Sequence, residues 1–261
     1  MKSGGRLVLL TGGSAGIGRA AAIRFVENGD RLVVVARNRE ALESLAKELG
    51  EDNCIPFAAD LTETNDADAL THLLTGIGTP DVIVANAGIG LDARFAETTD
   101  EALERVFDLN VVAVYRTVRP HIDDMVRRGS GRILFVSSIV GKRGIPNYSA
   151  YSGSKFALTG IAEALRVELR KTGVTVGVVY PSSTETGFQD HLLREGPGQN
   201  RKRLRRHSAD SVARAIVKMA GSRRRERVLS LEARFLNIAN RLSPAAVDAL
   251  LARALMRKSD D

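Results

Sequence analysis

Leu7-Val8-Leu9-Leu10-Thr11-Gly12-Gly13-Ser14-Ala15-Gly16-Ile17-Gly18 is the stretch whose reading decides the rest of the chain. Residues 7–10 are apolar without a break, which suits a strand buried on both faces of a parallel sheet. A glycine-rich turn follows at once, and residues 19–28 then carry helical periodicity through Ala22, Ile23 and Val26. Glycines let the backbone turn tightly and approach an anion, while a helix N-terminus offers free N–H groups and the positive end of a dipole. The spacing is Gly-x-x-x-Gly-x-Gly, and the more familiar Gly-x-Gly-x-x-Gly is absent. A ligand-free glycine loop is the plainer reading; a second apolar strand at residues 32–35 favours phosphate binding in a dinucleotide-binding βαβ unit.

That second strand runs into Ala36-Arg37-Asn38-Arg39. An acidic residue here bonds ribose hydroxyls, whereas an arginine pairs with a 2′-phosphate, so Arg37, with Ser14 as a hydroxyl donor, points to NADPH over NADH. The alternation continues with a helix over 40–49 and a strand at 54–58 delivering Asp60-Leu61-Thr62. A helix at 66–74 precedes a strand at 82–84, which empties into Asn86-Ala87-Gly88. Thr98 with Glu101 reads as a capping box opening a helix through Phe107 and Val118 that stops near Pro120. Asn110 lies within it, unfavourable by propensity, and so either faces solvent or has a task.

A second stretch carries chemistry. Ser137 to Lys155 follows the apolar run 133–136, part of a strand expected at 132–138, and leads into a helix over 151–171. Tyr151 and Lys155 are four apart and share one helix face. An ammonium beside a phenol favours the phenolate, and Ser138 arrives from a strand end to bind the same substrate oxygen. Beyond it are a strand at 175–180, an aperiodic segment at 187–207 that reads as a lid, a helix at 208–220 and a strand at 227–231. Two amphipathic helices close the chain, the second with Ser243-Pro244 as cap and first residue. Their apolar faces would pack on the domain, cover a greasy cleft, meet a dimer partner or lie on an anionic membrane.

Strands and helices alternate without a linker-like break. The expected fold is a single Rossmann-type α/β domain: a doubly wound parallel sheet with helices on both faces. Residues 1–231 would be catalytic, and 232–261 an extension. One cysteine, Cys54, excludes an internal disulfide and suits a reducing compartment, and four scattered histidines argue against a metal. No apolar run is long enough to span a bilayer, and residues 1–6 lack a signal-peptide core, so a cytoplasmic location is expected. The net charge of +7 (38 minus 31) collects in Arg201–Arg206, Arg223-Arg224-Arg225 and the C-terminal Arg253, Arg257 and Lys258. With four Tyr, eight Phe and no Trp for stacking, these clusters read as solvated charge rather than a nucleic-acid surface.

Taken in order, Thr11 to Gly18, Asp60-Leu61, Asn86-Ala-Gly88, Asn110, Ser138, Tyr151-x-x-x-Lys155 and Pro181 with Thr186 resemble the short-chain dehydrogenase/reductase family. The resemblance implies Tyr151 as general acid/base, Lys155 lowering its pKa and holding the nicotinamide ribose, and Ser138 holding the substrate oxygen. It implies Asn110 in a proton relay reaching Lys155. The same resemblance places the NADPH/NADP+ cofactor against Thr11, Gly12, Ser14, Gly16, Ile17, Gly18, Asp60, Leu61, Asn86, Ala87 and Gly88. Pro181, Thr184 and Thr186 would meet its carboxamide end. A homodimer or homotetramer is expected. Ala36-Arg-Asn38, Val136-Ser-Ser138, Ala150 to Ala157, Ala162 to Leu165 and Tyr180 to Phe188 look most like 3-ketodihydrosphingosine reductases, which reduce a long-chain ketone. No N-terminal membrane anchor is expected from residues 1–6, which would set the chain apart from them, and it departs from many family members in carrying Ser182 where they have glycine after Pro181. Other carbonyl substrates (steroid, retinoid-like, 3-oxoacyl) and a non-catalytic NADPH sensor are the alternatives.

Overall fold

The computed structural model describes residues 5–185, 188, 192–195 and 207–255. Seven parallel strands form its sheet: β1 (Leu7–Thr11), β2 (Arg31–Ala36), β3 (Cys54–Ala58), β4 (Val82–Ala85), β5 (Gly131–Val136), β6 (Val174–Tyr180) and β7 (Glu226–Val228). Their spatial order is β7-β6-β5-β4-β1-β2-β3. The strands read as unbroken apolar runs because both faces are buried. Leu9, Val33, Ile83, Ile133 and Val178 face one layer, and their neighbours Val8, Leu32, Val82, Leu134 and Val179 face the other.

Helices α3 (Thr64–Ile77), α5 (Ala113–Val118) and α7 (Ser149–Glu168) cover the first face through Leu70, Leu74, Val118, Leu158 and Ala162. The opposite face is covered by α1 (Gly16–Glu27), α2 (Arg39–Leu49) and α8 (Ala209–Ala220), through Phe25, Leu42, Leu45, Val212 and Ile216. This is the doubly wound α/β sheet expected. Strand β1 pairs with both β2 and β4, so the winding reverses there, and a crevice opens at the carboxyl ends of those strands.

Several boundaries differ for local reasons. Strand β5 ends at Val136 rather than 138, because Ser138 turns to cap a short helical turn, its Oγ accepting from Val140 N. Thr99, not Thr98, caps α4 (Asp100–Phe107), accepting from Ala102 N at 3.2 Å, while Thr98 donates to Arg94 O. Pro120 does not stop the helical path: a tight turn at Arg119–His121 absorbs it and α6 (Ile122–Arg128) follows. Leu231 opens a helix instead of closing a strand, since Ser230 Oγ accepts from Ala233 N at 2.9 Å.

The closing helices are α9 (Leu231–Leu242) and α10 (Pro244–Leu255). Only Ala233 of α9 is buried, and its apolar stripe of Leu231, Phe235, Ile238 and Leu242 faces outward at 55–82% exposure. The stripe therefore packs neither on the sheet nor over the crevice. Arg143 anchors the pair to the loop after β5, donating to Asn240 Oδ1 at 2.8 Å and to Asp248. Among the described residues, no helix is long and apolar enough to cross a membrane.

Candidate active site

A cleft of about 800 Å³ runs along the carboxyl ends of β1, β4 and β5. At one end lies the glycine loop. Gly12 has φ +71°, and a Cβ there would sit 2.9 Å from the Ala87 Cα, so this turn requires glycine. At Gly18 a Cβ would come within 1.9 Å of the Gly12 carbonyl oxygen, so that glycine lets α1 start against the loop. The first turn of α1 has Ala15 at its cap position, no side-chain cap bond and no acidic residue. Ser14, Gly16 and Ile17 of this uncapped turn line the cleft, an arrangement suited to a pyrophosphate.

Thr11 and Asn86 fasten this loop to β4. Thr11 Oγ1 accepts from Asn86 N and Ala87 N, both at 3.0 Å, and Asn86 Nδ2 donates to Thr11 O at 3.0 Å and Gly12 O at 3.3 Å. Thr11 is thus buried and outside the cleft lining, whereas Asn86, Ala87 and Gly88 line it. Arg37 stands at the lip, its side chain 61% exposed and its guanidinium 3.7 Å from Asp60 Oδ2. Burial works to raise the Asp60 carboxyl. Hydrogen bonds from Thr62 and the Arg37 guanidinium outweigh it and hold Asp60 below its usual value. Leu61 lines the same end of the cleft.

At the other end Ser138, Tyr151 and Lys155 come together. Tyr151 and Lys155 share the inner face of α7, and Lys155 Nζ lies 5.8 Å from the Tyr151 ring centroid and donates to Val136 O at 3.2 Å. Burial pushes the Tyr151 hydroxyl up to about 12; a hydrogen bond with Ser138 opposes the rise and Tyr148 adds to it. Burial also brings the Lys155 ammonium down to about 8. The expected lowering of Tyr151 by Lys155 is therefore not what the protein alone produces, because desolvation of the buried phenol dominates.

Asn110 is fully buried on a wide helical turn, Asp108–Val112, between α4 and α5. It bonds both polar groups of Ile89, donating to the carbonyl and accepting from the N–H at 2.9 Å each, and donates to Ser154 Oγ at 2.9 Å. A Cβ on Gly88 would lie 2.8 Å from Asn110 Oδ1 and 3.1 Å from Lys155 Nζ, so these three groups crowd one point. Pro181 and Thr184 line the cleft, and Thr186 lies outside the described residues, as does most of the 187–207 segment.

Sequence reasoning missed Asp92, Tyr148, Ser182 and Phe188, all on the lining. Tyr148 packs edge-on to Tyr151 with centroids 6.2 Å apart, and Phe188 tilts against Tyr151 at 5.9 Å. Ser182 Oγ is buried with no hydrogen-bond partner among the described residues. The available signal for Tyr148 was its position three residues before Tyr151, one helical turn away. No spacing pointed to Asp92.

The family model for short chain dehydrogenases matches residues 6–196. The chain belongs to this family. Within the short-chain dehydrogenases, it is 35% identical over 193 residues to a 3-ketodihydrosphingosine reductase of Bos taurus, covering 70% of this chain and 58% of that one. The chain thus spans less than two thirds of that relative's length. A short-chain dehydrogenase from Streptomyces avermitilis superposes with a TM-score of 0.85 at 26% identity, over 100% of both chains. Another from Sphingobium yanoikuyae, in complex with NADPH, matches with a TM-score of 0.79 at 26% identity over 98% and 96% of the two chains. This short-chain dehydrogenase is an oxidoreductase.

Proposed function

We propose that the chain is an NADPH-dependent reductase that converts a lipophilic ketone to an alcohol, with a 3-keto sphingoid base as the leading substrate. The observation that carries this reading is the convergence of Ser138, Tyr151 and Lys155 at one end of a cleft whose other end is an uncapped helix N-terminus. The NADPH-bound relative and Arg37 at the lip support the cofactor assignment. So does the unpartnered Ser182 hydroxyl, which a bound polar group would satisfy. The bovine reductase supports the substrate class. Residues 1–231 act in this reading as one catalytic unit extended by 232–261.

NADPH, when bound, supplies the hydride that the carbonyl carbon takes up. Ser138 holds the substrate oxygen and Tyr151 gives it a proton. A phenol held near 12 carries at neutral pH the proton that a donor needs, while the same rise makes it the weaker acid. Lys155, still largely protonated at neutral pH, holds the cofactor ribose and, with Asn110, returns the proton to Tyr151.

The exposed apolar residues Tyr115 and Phe156, on α5 and α7, support self-association as a dimer or tetramer. The outward stripe of α9, flanked by exposed Arg234 and Arg241 on a chain of net charge +7, supports peripheral contact with an anionic bilayer. The test of function is consumption of NADPH, followed by absorbance, with long-chain ketones. Tyr151→Phe is expected to lose roughly 100-fold or more in turnover while still binding NADPH. Full turnover by that variant overturns the mechanism, and tight NADPH binding without turnover across a broad ketone panel favours a sensor.

A further inference from the structure

Asp92 is buried, with 8% of its surface exposed, yet it lines the cleft at the Tyr151 end. Its place is set by backbone. Leu91 and Asp92 pair in a short parallel ladder with Leu193 and Arg194, and the Ala93 N–H donates to Asn147 O at 2.9 Å. Asn147 holds φ at +64°, a left-handed conformation that asparagine tolerates, and this presents Tyr148 to the cleft. The Tyr148 hydroxyl donates to Asp92 Oδ2 at 3.3 Å, and the Tyr148 ring packs on Tyr151. The carboxylate therefore lies one phenol ring from the proposed proton donor.

A carboxylate accepts at about four lone-pair positions, and one long bond from a neutral phenol satisfies little of that. Removing such a charge from water is costly unless a cation or several donors replace the water. Among the described residues, no salt bridge forms with Asp92, and the cleft it lines is also lined by the apolar Ile89, Phe188 and Leu192. Arg194, its ladder partner, is exposed and lines the same cleft. A cationic group on a ligand in this cleft would give the Asp92 carboxylate a charged partner.

We propose that Asp92 is a specificity residue that receives the ammonium of an amine-bearing ketone. The chemical class is a long-chain 2-amino ketone, in which the ammonium sits on the carbon next to the carbonyl. With the carbonyl oxygen at Ser138 and Tyr151, that ammonium falls on the Tyr148–Asp92 side, and the alkyl chain follows the apolar walls. This deepens the ketone-reductase reading and rests on it.

The test compares kcat/KM for NADPH consumption with a long-chain 2-amino ketone and with the same ketone lacking the amine. Wild-type protein is expected to prefer the amino ketone. Asp92→Asn, which keeps the shape and the acceptor for Tyr148, is expected to lower kcat/KM for the amino ketone about 10- to 100-fold, the worth of a charged hydrogen bond, and to leave the other ketone unchanged. Equal losses on both ketones, or no preference in wild type, overturn the proposal. Binding of the corresponding 2-amino alcohol, measured by calorimetry, reads the anchor without turnover. Asp92→Asn is expected to weaken it by a similar factor, and unchanged binding refutes the role of Asp92. Failure of NADPH consumption with either ketone, alongside amine binding that depends on Asp92, refutes the ketone-reductase reading alone.

Discussion

Replacing Lys155 by methionine is expected to abolish turnover and to make the cofactor-free protein more stable. Lys155 is 4% exposed, and burial brings its ammonium from the ordinary 10.5 down to about 8. A folded-state pKa below the unfolded one means that the fold is penalised for holding this proton. The penalty is complete below about pH 8, shrinks as pH rises, and is gone above the unfolded value. The difference, 10.5 minus about 8, corresponds to about 3 kcal/mol at pH 7. Against it stands the hydrogen bond to Val136 O at 3.2 Å, whose loss costs about 1.5 kcal/mol. Methionine fills a similar volume with an unbranched chain, so the net gain at pH 7 is about 1–2 kcal/mol. Urea denaturation at pH 7 and pH 9 measures it. The stability difference between Lys155→Met and wild type is expected to shrink by about 1 kcal/mol between those values, as the native lysine sheds its proton. Cys54, whose thiol burial pushes up to about 11, lowers stability from about pH 9 upward, equally in both proteins. A variant less stable than wild type at pH 7, or a difference that is constant with pH, refutes the reasoning.

Arg37→Glu is expected to lower the ratio of NADPH to NADH kcat/KM about 10- to 100-fold; an unchanged ratio removes Arg37 from phosphate recognition. Gly18→Ala forces a Cβ against the Gly12 carbonyl and is expected to cost about 1–3 kcal/mol in chemical denaturation, whereas Gly76→Ala, exposed on α3 with open space around it, gains about 0.5–1 kcal/mol. Asn110→Ala leaves both backbone polar groups of half-buried Ile89 without their partner and is expected to destabilise by about 2–4 kcal/mol; a smaller loss means that the helical turn relaxes around it. The double change Phe235→Asp and Ile238→Asp is expected to abolish sedimentation with phosphatidylserine-containing vesicles while leaving thermal unfolding unchanged, and retained sedimentation excludes the α9 stripe as the contact.

The strands were legible because a sheet covered on both faces writes itself as unbroken apolar runs such as Val33-Val34-Val35 and Ile83-Val84, which depend little on neighbours. Element ends were less legible where a side chain competes with the ladder. The strand expected to reach Ser138 ends sooner, since Ser137 Oγ donates to Lys155 O and Ser138 turns to cap, and β5 stops at Val136. Pro120 looked like a helix stop because it lacks an N–H. A tight turn needs one donor fewer at that point, and the chain resumes as α6. The direction in which α9 presents its stripe depends on what lies beneath it, and periodicity carries no such information.

The chemistry shows the same division. Tyr151 and Lys155 were legible because four residues on one helix set their proximity regardless of the rest of the fold. Asp92 reaches the same cleft through a two-residue ladder and a left-handed asparagine, neither of which leaves a spacing to read. Proximity also misjudged the protons. A charge four residues away argues for a phenolate, but both groups are buried, and desolvation acts on each towards its neutral form, raising Tyr151 and lowering Lys155. The spacing thus told which atoms meet, and only the burial tells which proton each of them holds. Tyr151 and Asp92 line one cleft, so a ligand that enters it meets the protonated phenol and the carboxylate together.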